Sequence, residues 1–124
     1  MANILIVDDE RDIVSALKIY LSSEDYRLFT ASTGREALDC VKANDIDLVL
    51  MDINMPEMDG YEATAQIRKQ SADVPIIAVT AFAFASDEQK VLSSGFDGYM
   101  PKPINARQLK TQVLDMLRKR MTLI

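Results

Sequence analysis

Ile4-Leu5-Ile6-Val7-Asp8-Asp9 is the stretch on which the fold turns. Four apolar residues in a row read as a strand buried on both faces. Two carboxylates close it. The pattern recurs along the chain. Ile46, Leu48, Val49, Leu50 and Met51 lead to Asp52, Val74 to Val79 lead to Thr80, and Phe96-Asp97-Gly98-Tyr99-Met100-Pro101 lead to Lys102. In a parallel sheet, strand ends of one sense share an edge, and ligands bind there. Three carboxylates, a hydroxyl and an ammonium are therefore expected on one rim.

Between these runs the apolar spacing becomes helical. Strands are expected at 4–8, 26–30, 46–51, 74–79 and 96–100, with helices near 11–22, 34–43, 60–70, 87–94 and 106–120. Five β-α repeats predict an α/β fold with a mostly parallel sheet and helices on both faces. Ile13, Val14, Leu17, Tyr20 and Leu21 form the inward face of the first helix, and Leu109, Val113, Met116 and Leu117 that of the last. Thr33 with Glu36, Asp59 with Glu62, Ser86 with Gln89 and Asn105 with Gln108 have N-cap and N3 spacing. Gly95 is the expected stop of the fourth helix. A cap at Ser86 would leave 80–85 as a loop.

With 124 residues the chain is expected to be one domain over 1–124, its core near 3–120. A net charge of −5 argues against nucleic-acid binding by this chain alone. The single cysteine, Cys40, fits a reducing compartment and is expected to be a small buried hydrophobe. No apolar stretch approaches a membrane span, and no signal peptide precedes the first strand, so no membrane insertion and a cytoplasmic location are expected.

Two anions about 4 Å apart repel by roughly 4 kcal/mol at an effective dielectric near 20, so an acidic rim needs cations. Oxygen ligands in a chain without histidine suit Mg²⁺ or Mn²⁺. A dication beside Lys102 would cradle a phosphoryl group. Taken singly, the parts are commonplace. Asp8-Asp9 reads equally as a helix cap, Asp52 as the start of a turn, and Lys102 as a solvated lysine. Their conjunction at the ends of different strands is what carries the reading.

Ile4 to Glu10, Leu50-Met51-Asp52-Ile53-Asn54-Met55-Pro56-Glu57-Met58-Asp59-Gly60, Val79-Thr80-Ala81 and Gly98-Tyr99-Met100-Pro101-Lys102-Pro103 together resemble a two-component response-regulator receiver domain. The resemblance implies a flavodoxin-like (βα)5 three-layer sandwich with a five-stranded parallel sheet, order 2-1-3-4-5. It implies that Asp52 is the phosphoacceptor, and that Asp9 is a direct metal ligand with Asp8 beside it, acting through water. Asn54 would ligate the metal through its backbone carbonyl. Lys102 and Thr80 would each hold a phosphoryl oxygen. Asn54 and Phe82 match positions that tune phosphoryl lifetime, and a cis Lys102-Pro103 bond is expected. Such a domain catalyses its own aspartyl phosphorylation and dephosphorylation without being a conventional turnover enzyme.

Tyr99 matches the family's switch aromatic, moving into space that Thr80 leaves. Without that resemblance it reads as a core tyrosine. Phe82 and Phe84 in the 80–85 loop are read as packed or as an output patch. Arg11, Asp12, Ile13 and Ser15, which begin the first helix beside Asp9, are docking candidates for a partner; Ile19 should be wet. The phosphodonor histidine must belong to a histidine kinase or a histidine phosphotransfer domain, and a downstream effector is implied. Family dimers often use the fourth helix, last strand and last helix, so a phosphorylation-dependent dimer is open to this chain. Met58 to Thr64 with Ile67-Arg68 is similar to receivers of hybrid histidine kinases. No output domain fits after residue 120, which leaves a stand-alone regulator, a relay protein or a receiver cut from a longer chain.

Three rivals share parts of the pattern. A small Mg²⁺-dependent phosphatase would carry a second Asp where Asn54 stands, and a cap over its substrate. A receiver-like module that is never phosphorylated usually lacks one of the acidic pair, the acceptor or the lysine. A flavin-binding electron carrier shares the architecture but not the acidic site.

Overall fold

The first apolar run forms β1 (Ala2–Val7), and Ile4, Leu5, Ile6 and Val7 are at most 1% exposed. A strand hidden on both faces must be flanked by other strands and covered above and below, and β1 is. The computed structural model describes residues 2–22, 25–55, 57–81 and 85–122. After β1 come α1 (Arg11–Leu21), β2 (Tyr26–Ala31), α2 (Gly34–Ala43), β3 (Leu48–Asp52), α3 (Gly60–Gln70), β4 (Ile76–Thr80), α4 (Ala85–Ser93), β5 (Gly98–Pro101) and α5 (Ala106–Thr122). The strands form one sheet in the order β2-β1-β3-β4-β5, every pairing parallel.

The sheet separates two apolar cores. On one side Leu5, Val7, Val49, Met51 and Ala78 meet Ala37 of α2, Ala63 and Ile67 of α3 and Val91 of α4. On the other, Ile4, Ile6, Leu48, Leu50 and Val79 meet Leu17 and Leu21 of α1 and Leu109, Val113 and Leu117 of α5. The inward faces expected for the first and last helices are thus the buried ones. Ile19 is exposed as expected, at 68%. Cys40 is half-buried and not fully enclosed: its helix lies at the surface, where Asn44 Nδ2 reaches Sγ at 3.7 Å.

Most element ends follow their local chemistry. Thr33 accepts from the Glu36 N–H, Asp59 from Glu62, and Asn105 from Gln108, as their spacing predicts. Gly95 has φ of +100°, the left-handed backbone that glycine adopts without strain, and stands between α4 and β5. Ser86 is a correction. The fourth helix starts at Ala85, so Ser86 lies inside it and does not cap it. Alanine is the best helix former, and one serine near a helix start opposes it weakly. Phe82 and Phe84 lie outside the described residues.

Three strands start two residues later than the apolar runs suggest, because polar bonds hold the first residues in other ways. Asp47 N–H donates to Asn3 O at 2.8 Å, and its Oδ2 accepts from Asn3 N–H at 2.8 Å. Before β4, Val74 O is taken by Arg68 Nη1 at 2.6 Å, while Pro75 O accepts from Val49 N–H at 2.9 Å. Before β5, Asp97 Oδ2 accepts from Ile76 N–H at 2.9 Å and from Arg68 Nη2 at 2.6 Å.

Gly60 opens α3 against the end of β3. A Cβ there would meet the Asp52 carbonyl oxygen and lie 2.7 Å from Ile53 Cα, both of them backbone. Gly60→Ala is therefore expected to destabilise the protein by about 1–3 kcal/mol, as overpacking does. Gly34→Ala should cost less, because the atoms nearest its Cβ would belong to the flexible Met58 side chain and not to backbone. Thermal melts of both variants check the ranking, which a larger loss at Gly34 would reverse.

Candidate functional site

Parallel register brings the strand ends together. Val7 pairs with Met51, Asp52 with Val79, and Thr80 with Pro101. The residues at or just beyond these ends are Asp8, Asp52, Thr80 and Lys102, so the four share one edge of the sheet. The Lys102 N–H donates to Thr80 O at 2.7 Å, which fixes the β5 exit against the β4 end. The Lys102-Pro103 bond that follows is cis, as the resemblance implies.

Lys102 is the hub. Its Nζ lies 3.2 Å from Asp8 Oδ2, 3.4 Å from Asp52 Oδ1 and 3.7 Å from Glu10 Oε1. Asp8 and Asp52 are each 2% exposed. Burial, then the neighbouring Asp8 charge, push the Asp52 carboxyl from its ordinary 3.8 up to about 6, against the pull of Lys102. Burial likewise raises Asp8, opposed by the Glu10 N–H and by Lys102. For Lys102, burial alone would lower the ammonium, but Asp52 and Asp8 outweigh it and the pKa is raised.

The two oxygens of Asp52 are unlike. Oδ1 accepts from Asn54 N–H at 3.3 Å and from Lys102 at 3.4 Å. Oδ2 is buried and has no hydrogen-bond partner among the described residues. Buried polar atoms are seldom left this way, and such an atom at a strand end is available to a ligand.

Neither Asp8 nor Asp9 caps α1. Glu10 holds the N-cap position and makes no side-chain cap bond, while Asp8 Oδ1 accepts from Glu10 N–H at 2.9 Å. The pair is thereby kept for the site. Asp8, Asp9 and Glu10 each offer a carboxylate oxygen within 4.8 Å of the others, with Asp8 buried and the other two exposed. These are hard oxygen donors, the kind that Mg²⁺ takes. The cluster differs from the expected ligand set in including Glu10 and not Asp52, which reaches Asp8 through the shared lysine. Glu10 had no role in the sequence reading; three consecutive acids after a strand were the signal.

Thr80 is 2% exposed at the end of β4. Tyr99 is half-buried in β5, pairs in register with Ala78, and packs toward the α2–α3–α4 side. Arg11, Asp12, Ile13 and Ser15 lie in the first turns of α1 beside the acids; Arg11, Asp12 and Ser15 are exposed and Ile13 half-buried. Arg11 and Ser15 share a groove with Asp8, Asp9, Ala31 and Glu36. Phe82 is outside the described residues, so its expected place near Thr80 is neither met nor contradicted.

Residues 4–114 match the family model described as response regulator receiver domain. The response regulator SaeR of Staphylococcus aureus (strain USA300) is 37% identical over 119 residues, which are 96% of this chain and 52% of that one. The chain thus spans about half the length of the curated relatives it matches. Among solved structures, a CheY-like response regulator receiver domain protein from Methanospirillum hungatei JF-1 superposes with a TM-score of 0.92 at 31% identity, covering 100% of this chain and 99% of the other. The response regulator TrrA from Thermotoga maritima, solved in complex with Mg(2+)-BeF, does so with a TM-score of 0.84 at 38% identity, covering 94% and 99%. With the strand order, the acidic edge and this match over nearly all its length, the chain belongs to the response regulator receiver domain family.

Proposed function

We propose that this chain takes a phosphoryl group onto Asp52 in a Mg²⁺-dependent reaction and changes conformation to signal or relay it. The observation that carries the reading is the asymmetry of Asp52. One oxygen is held by Asn54 and Lys102, and the other is buried and unpartnered among the described residues.

In this reading Oδ2 attacks phosphorus, an O–P bond forms, and the bond from phosphorus to the donor's nitrogen or oxygen breaks with its electron pair leaving on the donor. Lys102 swings from its carboxylate partners to a phosphoryl oxygen, which an ammonium on a flexible stem can do. Thr80 donates its hydroxyl to another oxygen. Asp8, Asp9, Asp52 and the Asn54 carbonyl would hold Mg²⁺, with Glu10 at the margin, and the ion would neutralise the charge gathering on the phosphoryl group. A Mg(2+)-BeF complex of the Thermotoga maritima relative supports that choice of ion; Mn²⁺ would be tolerated on the same oxygen ligands. Asn54 and Phe82 are the positions proposed to tune how long the phosphoryl group lasts.

The chain has no histidine, so the donor is another protein or domain, a histidine kinase or a histidine phosphotransfer domain. Arg11, Asp12, Ile13 and Ser15 are the proposed docking positions. Thr80 and Tyr99 are the proposed switch. The effector and a phosphorylation-dependent dimer belong to the same proposal, and attachment to a hybrid kinase rests on the Met58–Arg68 segment alone. No described helix is long and apolar enough to cross a membrane; a cytoplasmic location rests on that and on the lone cysteine.

Intact mass after incubation with acetyl phosphate and Mg²⁺ tests the reading. The wild type should gain one phosphoryl group, about 80 Da, and Asp52→Asn none. A folded wild type that gains nothing would return the chain to the unphosphorylated-module reading.

A further inference from the structure

Asp52 is connected to α4 by way of α3. The Gly60 N–H donates to Ile53 O at 2.9 Å, and the missing Cβ of Gly60 lets the first turn of α3 press on the backbone of Asp52 and Ile53. Tyr61 is the next residue. Thr64 and Arg68 follow it at helical spacing, and the three form one stripe along α3.

This stripe meets α4 and the turn after it. Lys90 Nζ of α4 lies 4.8 Å from the centre of the Tyr61 ring, and Phe96 packs edge-on to the same ring at 5.8 Å. Thr64 is fully buried and its Oγ1 has no partner among the described residues. Arg68 grips the base of α4: Nη2 donates to Gly95 O at 2.8 Å and to Asp97 Oδ2 at 2.6 Å, and Nε to Gly95 O at 3.1 Å.

The two ends of the stripe differ in strength. Arg68 makes several charge-assisted bonds to backbone and carboxylate at once, the grip of a pivot. The Lys90–Tyr61 contact is a single cation–π pair with an exposed lysine. At such a site it corresponds to only about a two- to fivefold change in an equilibrium constant. That is too little to hold a fold together and enough to bias two positions of a helix.

We propose that Lys90 on the face of Tyr61 is a latch that holds α4 in its unphosphorylated position, pivoting at Arg68 and Gly95. The proposal rests on the reading of Asp52 as phosphoacceptor. Lys90 is a positioning residue here, since it acts through α4 and touches no reacting atom. When the latch is open, a larger share of molecules stands ready for the phosphoryl group, and uptake is faster in proportion.

The test compares the rate of phosphoryl uptake from acetyl phosphate with Mg²⁺, read by intact mass, in the wild type, Lys90→Gln, Lys90→Arg and Lys69→Gln. Lys90→Gln should be about two- to fivefold faster with only a small drop in melting temperature, as the loss of one exposed contact allows. Lys90→Arg should stay at the wild-type rate, because a guanidinium also sits on a ring face. Lys69→Gln, which removes an exposed lysine from α3, should also match the wild type. A Lys90→Gln rate equal to wild type overturns the latch, as does an equal acceleration in Lys69→Gln, which would be a charge effect alone. A wild type that takes up no phosphoryl group fails the phosphoacceptor reading itself, and the latch with it.

Discussion

Lys102→Met is expected to destabilise the metal-free protein by about 3–5 kcal/mol near pH 7, the range for stripping a buried charge of its partner. The ammonium lies 3.2 Å from Asp8 and 3.4 Å from Asp52, both buried. Methionine keeps the length of the stem and leaves two carboxylates repelling each other. The loss depends on pH with a definite sign. Both carboxyls are already raised, chiefly by burial, and without the ammonium they rise further. The deficit is therefore largest at the alkaline end and shrinks as protons neutralise the pair. Lys102 itself is raised above 10.5, so its contribution is complete below that value and is lost only as pH climbs through the higher folded one. Melting temperatures of both metal-free proteins from about pH 5 to about pH 8 measure the gap. A gap that stays constant across that range contradicts the account. Added Mg²⁺ should restore part of the loss in the variant, since a ligand that binds only the folded state stabilises it.

The same site predicts a large effect of opposite sign. Asp52→Asn should make the metal-free protein more stable at pH 7 while removing its capacity to accept phosphate. The Asp52 carboxyl stands at about 6 in the fold against an ordinary 3.8. A raised carboxyl means that the fold binds the proton more tightly than the unfolded chain does. Its ionised form then costs about 3 kcal/mol above pH 6, since each tenfold difference in proton affinity is worth about 1.4 kcal/mol. That cost is relieved as pH falls from about 6 toward 4. The wild type should gain stability over this window until other carboxylates protonate, and the asparagine variant should lack that slope. Denaturant midpoints near pH 7 and pH 5 decide it. An Asp52→Asn protein weaker than wild type at pH 7 would show that the Lys102 pair outweighs the burial of the charge.

Local patterns made most of the fold legible. Four apolar runs ending in chemistry-bearing residues predicted four of the five strands and the shared edge, and Thr33, Asp59 and Asn105 marked three helix starts within a residue. The strand order came with the family resemblance, because periodicity does not say which strands neighbour one another. What stayed hidden depends on contacts between distant residues. Asp97 reads as part of an apolar run, yet its carboxylate is taken by Arg68 and Ile76 and the strand begins after it. Ser86 has the spacing of a cap, and the choice of helix start went to Ala85. At the site, Asp8, Asp52, Thr80 and Lys102 were legible because each ends a strand. Glu10 was not, since nothing in three consecutive acids says which one faces the lysine.

The sheet that separates the two cores also separates two conversations. Ile13 and Val14 of α1 belong to the layer packed on Leu17, Leu109 and Val113, whereas Tyr99, Tyr61 and Val91 belong to the layer on the opposite face. The edge that carries Asp8, Asp52, Thr80 and Lys102 borders both layers. A donor docked on α1, as proposed, would leave the α3–α4 surface uncovered, so that a second partner there could read the outcome before the donor had left. Two partners of unrelated shape can each evolve against its own layer, constrained in common only by four side chains at the rim.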